Sequence, residues 1–392
     1  MKRIIIILVT ALLSIPESYS QGTIDSIVSQ VVKNNALLKA FNYHSDAQRI
    51  GNRTELLPYN PEVSFNYLWG SPSEIGNRKD FSLSQTFDFP SAYVYKKQIS
   101  RLKNEYTILD FEEKKSKVIL QTKLLCIDMI YHNAMRAELK KRLSDAEKLE
   151  RSYKLKLESG DCSLLEYNKV KLYFLNAEHL FELHEIEKFA LLEELSGLNG
   201  NSPIIFNDSI FPLPEVNEGF DDWYKRIRTK IPELKRVAKE KEISERNEKL
   251  ELAMNLPKIE TGYMSENVAE EQFQGLTLGI SIPLWENRNK TKYIKLKTEA
   301  LQAYEDYTNL ALYNHHKKLY NNYHKTKEKI NEYEVIFDEV NNSILLLKAL
   351  EKGEISMINY LTELSYYYES INSLFEMKRK ASEVYVELNL FN

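Results

Sequence analysis

Cysteine, proline and glycine are all scarce in this sequence, at 2, 11 and 12 residues among 392. Two cysteines do not make a disulfide scaffold. If Cys126 lies on a long helix that ends near Cys162, the two thiols are about 50 Å apart and cannot pair. Charge of one sign is also lacking: 53 basic residues face 57 acidic ones, a formal net charge of −4. That mild acidity argues against a nucleic-acid partner. Beyond residue 20 no stretch of about 18 residues is uninterruptedly apolar, so no transmembrane helix is expected. There is no Gly-rich phosphate loop and no nucleophile elbow. No enzyme, catalytic residue or cofactor is therefore predicted.

Proline and glycine are absent over long runs rather than thinned evenly. Leu284 to Asn392 holds no proline and one glycine, Gly353. Ser91 to Ser202 also lacks proline and carries Gly160, with Gly197 and Gly200 near its end. These residues are the strongest punctuation of a helix, so each run is expected to be two helices turned at its glycine. The runs are in register: Pro90 to Gly160 and Pro283 to Gly353 are both 70 residues. The turns also match, Leu157-Glu158-Ser159-Gly160-Asp161-Cys162-Ser163-Leu164-Leu165-Glu166-Tyr167 against Leu350-Glu351-Lys352-Gly353-Glu354-Ile355-Ser356-Met357-Ile358-Asn359-Tyr360. A repeat of this length implies a duplicated structural unit. Seventy helical residues rise roughly 100 Å, longer than a globular domain needs.

Residues 1–20 have the pattern of a cleaved secretory signal: Lys2 and Arg3, an apolar run from Ile4 to Ile15, and Ser18 and Ser20 before Gln21. No cysteine stands directly after that site, so no lipid anchor is expected. Residues 21–57 are expected to hold one helix from Ile24 to about Leu56, ended by Pro58 and Pro61, and residues 220–256 its equivalent, ended by Pro257. Residues 58–90 and 257–283 each contain a β-hairpin, with turns expected over Gly70 to Lys79 and Ser265 to Gly275. In the first, Val63, Phe65, Tyr67, Phe81, Leu83 and Phe87 alternate with Ser64, Asn66, Ser82, Ser84, Thr86 and Asp88. In the second, Ile259, Thr261 and Tyr263 precede Leu276, Leu278, Ile280 and Ile282, which alternate with Thr277, Gly279 and Ser281. Residues 91–199 and 284–392 are the long helical hairpins. Residues 200–219, with Pro203, Pro212 and Pro214, are an irregular connector.

An isolated hairpin of this kind would suit a soluble sheet with one buried face. Strands apolar on one face and small or polar on the other, with aromatics at their ends, also suit an outer-membrane barrel. Four strands cannot close one, since about eight is the practical minimum, and lipid tolerates no open edge. If these strands span a membrane, several chains must share a barrel. The long helices are only partly apolar, with packed segments expected at Val118 to Ile130 and at Val340, Ile344, Leu345, Leu347 and Leu350. Helices that pack only sideways between two wet faces have this composition.

The order of these elements resembles the outer-membrane efflux protein family, the TolC-like channels, over essentially the whole chain after residue 20. The resemblance rests on the duplicated plan, on Phe87-Asp88-Phe89-Pro90 and Ile280-Ser281-Ile282-Pro283-Leu284 at the strand-to-helix junctions, and on the two glycine turns. The first junction looks most like members of cobalt–zinc–cadmium efflux systems. The resemblance implies a mainly α fold with a small β part: duplicated long α-helical hairpins form an oligomeric α-barrel tunnel, and the β-hairpins form a shared transmembrane β-barrel. It implies a homotrimer in outer-membrane lipid, docked on a periplasmic adaptor and fed by an inner-membrane pump of the resistance-nodulation-division class. Metal cations or small toxic molecules would be exported. A duct for type I protein secretion and a soluble periplasmic coiled-coil adaptor are the alternatives.

The site residues follow from the same resemblance. Gly160, Ser163, Leu164, Gly353, Ser356 and Met357 are expected at an adaptor-docking tip, and Pro90 and Pro283 at the strand-to-helix junctions. Glu158, Asp161, Glu166, Glu351, Glu354, Asn359 and Glu363 are expected near the pore mouth. Family members often carry Asp six residues after the tip glycine; here Glu166 and Asn359 stand there, so the second repeat lacks that carboxylate. No metal site is expected. His315, His316 and His324 lie among polar residues, and His179 and His184 are five apart, off the helical spacing of three or four.

Overall fold

The structure is a computed structural model that describes residues 23–268, 270–339 and 342–392. The expected signal segment, residues 1–20, and Val340 lie outside the described residues. The chain divides into two compact units. The described part of the first is residues 23–33 and 125–211, and the second is 34–124 and 212–392.

Helices α1 (Ile24–Asn34) and α2 (Ala36–Gly51) replace the single helix expected up to Leu56. Asn35 separates them: its side-chain oxygen accepts the backbone N–H of Leu38 at 2.9 Å, capping α2. Asparagine prefers this role to a place inside a helix. The equivalent stretch is also broken, into α5 (Phe220–Arg228) and α6 (Pro232–Met254). Pro232 cannot donate a hydrogen bond and has φ preset for a first turn. It holds Ile231 in extended backbone and starts α6 anew.

Strands β1 (Glu62–Leu68), β2 (Arg78–Phe87), β3 (Lys258–Val268) and β4 (Glu271–Ser281) form one antiparallel sheet in sequence order. The second turn is far shorter than Ser265 to Gly275, because Ser265 pairs with Gln274 and Val268 with Glu271. Ladder bonds hold Ser265, Gln274 and Glu271 in strand although their side chains prefer water. Paired residues share a face, so the register sorts the sheet. Val63, Leu83, Tyr263 and Leu276 form one row, and Phe87, Ile259 and Ile280 another on the same side. Ser64 and Ser82 lie opposite, with hydroxyls 2.7 Å apart, beside Arg78, which pairs with Asp80 and Glu266. The apolar face is bare: Val63, Leu276 and Leu278 are 63%, 90% and 76% exposed.

Helix α3 (Pro90–Ser159) runs 70 residues without interruption. Helix α4 (Leu164–Leu198) follows the Gly160 turn. In the second half, helix α7 (Lys290–Glu339) starts later than Leu284. Asn289 takes a positive φ of 68°, and Asn287 donates to the Met254 carbonyl at 2.7 Å, so the chain turns here before the helix begins. Helices α8 (Asn342–Glu351) and α9 (Met357–Leu388) flank Gly353. No described helix is long and apolar enough to cross a membrane.

Within the second unit the helices are tied sideways by ions as well as by apolar contact. Arg236 of α6 donates to Glu113 of α3 at 2.6 Å, and Lys241 of α6 pairs with Glu305 of α7 at 2.7 Å. Burial works to raise the pKa of Glu113, but hydrogen bonds from Lys117 and Arg236 outweigh it and hold the carboxyl below its ordinary value of 4.5. A depressed carboxyl stabilises the fold above its unfolded pKa, and the contribution is lost as pH falls through the folded one.

The apolar core here joins Trp223, Ile227 and Ile231 to Leu319, Tyr323 and Ile330. The end of the connector is pinned to it: Tyr320 donates to the Glu218 carbonyl at 2.7 Å and Lys327 to the Leu213 carbonyl at 2.8 Å. In the first unit, Cys126, Ile127, Met129 and Ile130 are fully buried, and burial pushes the Cys126 thiol up to about 12. Both cysteines are free. The second packed segment is not one, because Ile344, Leu345 and Leu347 are exposed on α8. Helical spacing marks an apolar stripe without saying whether its own chain covers it.

Candidate functional site: two glycine turns and a buried junction

Each glycine turn is built by its own backbone. Gly160 has φ 78° and Gly353 φ 73°. Behind each, the next residue reaches back five positions: Asp161 N–H donates to the Lys156 carbonyl at 2.7 Å, and Glu354 N–H to that of Ala349 at 2.8 Å. This is the left-handed helix ending that glycine permits. A Cβ added at either glycine meets nothing within 4 Å. The demand for glycine is therefore purely one of backbone conformation.

The outgoing helices begin alike but not identically. Ser163 caps α4, accepting from Glu166 N–H, while the Glu166 carboxylate accepts from Ser163 N–H at 2.9 Å. Hydrogen bonds from Ser163 hold the Glu166 carboxyl below its usual range. Ser356 caps α9 by accepting from Asn359 N–H at 3.2 Å, and no capping box is closed there. The Glu166 carboxylate, expected at the pore mouth, is thus engaged in its own helix cap. Leu164 is exposed on α4, whereas Met357, its counterpart, is buried on α9. Glu158, Asp161, Glu351, Glu354, Asn359 and Glu363 are exposed. Asp161 accepts from the Ser159 hydroxyl at 2.6 Å, and Lys352 lies 3.9 Å from Glu354. The first turn belongs to the first unit and the second turn to the second.

The two junctions differ. Pro90 is the first residue of α3, while Pro283 is followed by a non-helical stretch up to Lys290. Just before Pro90, Asp88 is buried and accepts from Lys96 Nζ at 2.7 Å and from the Tyr59 hydroxyl at 3.3 Å. This ion pair was not legible in the sequence, since residues eight apart across a strand end and a helix start share no local pattern. Replacing Asp88 by alanine strands the Lys96 ammonium. Breaking such a pair costs about 3–5 kcal/mol. Lys96 keeps 19% exposure, so the lower end, about 3 kcal/mol, is expected. Urea unfolding in detergent should show this loss for Asp88→Ala and a smaller one for Asp88→Asn. A loss under about 0.5 kcal/mol, the range of ordinary surface changes, would assign the junction to other contacts.

One further cluster joins histidines that the sequence did not pair. His132 of α3 and His184 of α4 meet with Nδ1 atoms 3.0 Å apart, and Glu187 lies beside them. Burial lowers the pKa of His184 and so favours its neutral imidazole. The partner of His184 is not His179 on its own helix but His132 on the facing helix, 52 residues away.

No protein-family model and no curated protein sequence matches the chain. Solved structures do match. A crystal structure of CusC, concerned with the conformational changes of folding and transmembrane channel formation, superposes with a TM-score of 0.77 at 12% identity. The match covers 93% of this chain and 91% of that one. The outer membrane channel CmeC of Campylobacter jejuni gives 0.70 at 15% identity, over 97% and 90%. The outer membrane protein VceC of Vibrio cholerae gives 0.72 at 9% identity, over 94% of both chains. What is shared at such identities is the fold.

Proposed function

We infer, from a chain that has the fold of the TolC-like outer-membrane channels, that this protein is the outer-membrane exit duct of a tripartite efflux pump. One observation carries the reading. The sheet has a bare apolar face, a polar opposite face and two strands, β1 and β4, each paired on one side only. In water an apolar face of this size invites aggregation. In lipid it is the outer wall of a barrel, provided that other copies supply the missing neighbours. Three copies with four strands each would make a twelve-stranded barrel. The long helices would line a periplasmic tunnel, and the two glycine turns would form the tip that docks a periplasmic adaptor, fed by an inner-membrane pump of the resistance-nodulation-division class. Metal cations or small toxic molecules are the cargo that this reading favours. A type I secretion duct would use the same barrel. A soluble periplasmic adaptor would not, because it has no use for the bare face.

The test is the state of the protein extracted from outer membranes. Its mass in detergent, corrected for bound detergent, should be three times that of one chain, and it should fractionate with the outer membrane. A monodisperse, water-soluble monomer would overturn the assignment.

Glu351 and Glu354 are exposed beside the second turn and, in this reading, give the mouth a negative potential that favours cations. Glu351→Lys with Glu354→Lys should lower the cation preference of the reconstituted channel. The difference should shrink at about 1 M salt, where the Debye length is about 3 Å. An unchanged preference at low salt would place these carboxylates away from the ion path.

A further inference from the structure

We propose that His132, His184 and Glu187 form a binding site for a divalent first-row transition-metal ion of the zinc class. The proposal rests on this side-chain cluster alone and stands whether or not the chain is an efflux duct. Helix α4 supplies His184 and Glu187, three residues apart and therefore neighbours on one helix face. Helix α3 supplies His132, which is 7% exposed. The imidazole nitrogens Nδ1 of the two histidines are 3.0 Å apart, and Glu187 Oε2 lies 3.8 Å from His132 Nε2. One donor atom from each of the three residues lies within 4.8 Å of the others.

The dimensions suit one small ion. Zinc takes nitrogen at about 2.0–2.1 Å and carboxylate oxygen at about 2.0–2.2 Å in a tetrahedron, which sets its ligand atoms roughly 3.3 Å apart. The histidine pair needs to open by only about 0.3 Å from its present contact to reach that figure. The carboxylate must move further, and it can, because the Glu187 side chain is 51% exposed while the imidazoles are held in the helix interface.

The donor set gives the class of ion. Two imidazoles and one carboxylate suit zinc and its first-row neighbours. Calcium and magnesium want an all-oxygen shell, and the site has no thiolate or thioether for copper(I). Three protein ligands leave a fourth position for water. The surrounding charges are already matched: Arg136 is held by Glu185 at 2.6 Å, and Arg142 by Glu138 at 2.9 Å. The ion-pair partner of Glu187 among the described residues is His132. A bound ion would therefore meet a carboxylate that no arginine or lysine occupies, and it would clamp α3 to α4 within the first unit.

The competing account is a plain hydrogen bond between the two imidazoles, which needs no ion. Metal titration separates the two. The untagged full chain, purified in detergent and treated with chelator, is titrated with Co²⁺ and then Zn²⁺. One equivalent of Co²⁺ should produce the intense visible bands of four-coordinate cobalt, and Zn²⁺ should bleach them. Outer-shell partners of a metal site are worth about 10–100-fold in affinity, so loss of a ligand imidazole in His184→Ala or His132→Ala should cost at least about 100-fold. Glu187→Gln should weaken binding by about 10-fold or more, and His179→Ala should not change it. His184 is half-buried and Glu187 exposed, so those two variants keep the test valid if His132→Ala fails to fold. Absence of saturable cobalt binding by the unmodified chain would overturn the proposal. So would four-coordinate binding that survives both His184→Ala and Glu187→Gln.

Discussion

Arginine at position 278 is expected to abolish assembly of this protein in the outer membrane. Leu278 sits in β4 on the apolar side of the sheet, 76% exposed, in one row with Thr261 and Gln85. If that side meets lipid, an arginine near the bilayer midplane costs roughly 2–4 kcal/mol. Every copy carries the change, so a barrel shared by three chains suffers it three times, of order 6–12 kcal/mol. That compares with the whole stability of a typical folded domain, about 5–15 kcal/mol. Val63→Arg in β1 should behave alike. Ser82→Arg is the control: Ser82 pairs with Ser64 and Met264 on the opposite side, where a long polar side chain can reach water. Outer-membrane abundance and heat-stable oligomer on a gel are the readouts. Equal tolerance at Leu278 and Ser82 would mean that the apolar side does not face lipid, and the barrel reading would go with it.

Valine at both glycine turns is expected to leave the protein abundant and stop export. Gly160 and Gly353 hold φ near 75° with open space where a Cβ would be. A left-handed residue other than glycine costs about 1–2 kcal/mol, and more when it is β-branched. The absence of a steric neighbour means that this strain is the whole direct effect. It falls on a short turn, while α3, α4, α7 and α9 keep their lateral contacts. Gly160→Val with Gly353→Val should therefore reach the outer membrane at near-normal level. Cross-linking to the adaptor and resistance to exported toxins should fall together, because the deformed backbone is the proposed docking surface. Asparagine tolerates positive φ far better than valine, so Gly353→Asn should retain most of the function. Normal export by the double valine variant at normal abundance would remove the tip from the mechanism.

What was legible in the sequence was local or periodic. The absence of proline and the scarcity of glycine over long runs marked the long helices, because a proline inside α3 would have broken its hydrogen-bond ladder and a glycine would have weakened it. The twofold alternation in residues 62–87 and 258–281 marked the strands and sorted their faces before any register was known. Gly160 and Gly353 marked turns because glycine alone is at ease with positive φ. Local competition already blurred this reading. Asn35 divided α1 from α2 by capping, and Pro232 divided α5 from α6. Asn289 delayed α7 by a turn, and ladder pairing drew residues 265–268 and 271–275 into strand.

The tertiary structure decided everything that depends on partners outside one another's helix or strand. It joined β2 to β3 across some 170 residues, making one sheet from two hairpins. It buried Asp88 against Lys96, and it brought His132 to His184. It left Ile344, Leu345 and Leu347 exposed although their spacing promised a packed stripe. The physical reason is the same in each case. Helix and strand propensities act over a few residues, through backbone hydrogen bonds and side-chain period. Pairing between distant groups is settled by which surfaces meet when the elements pack, and no local pattern of residues encodes that meeting.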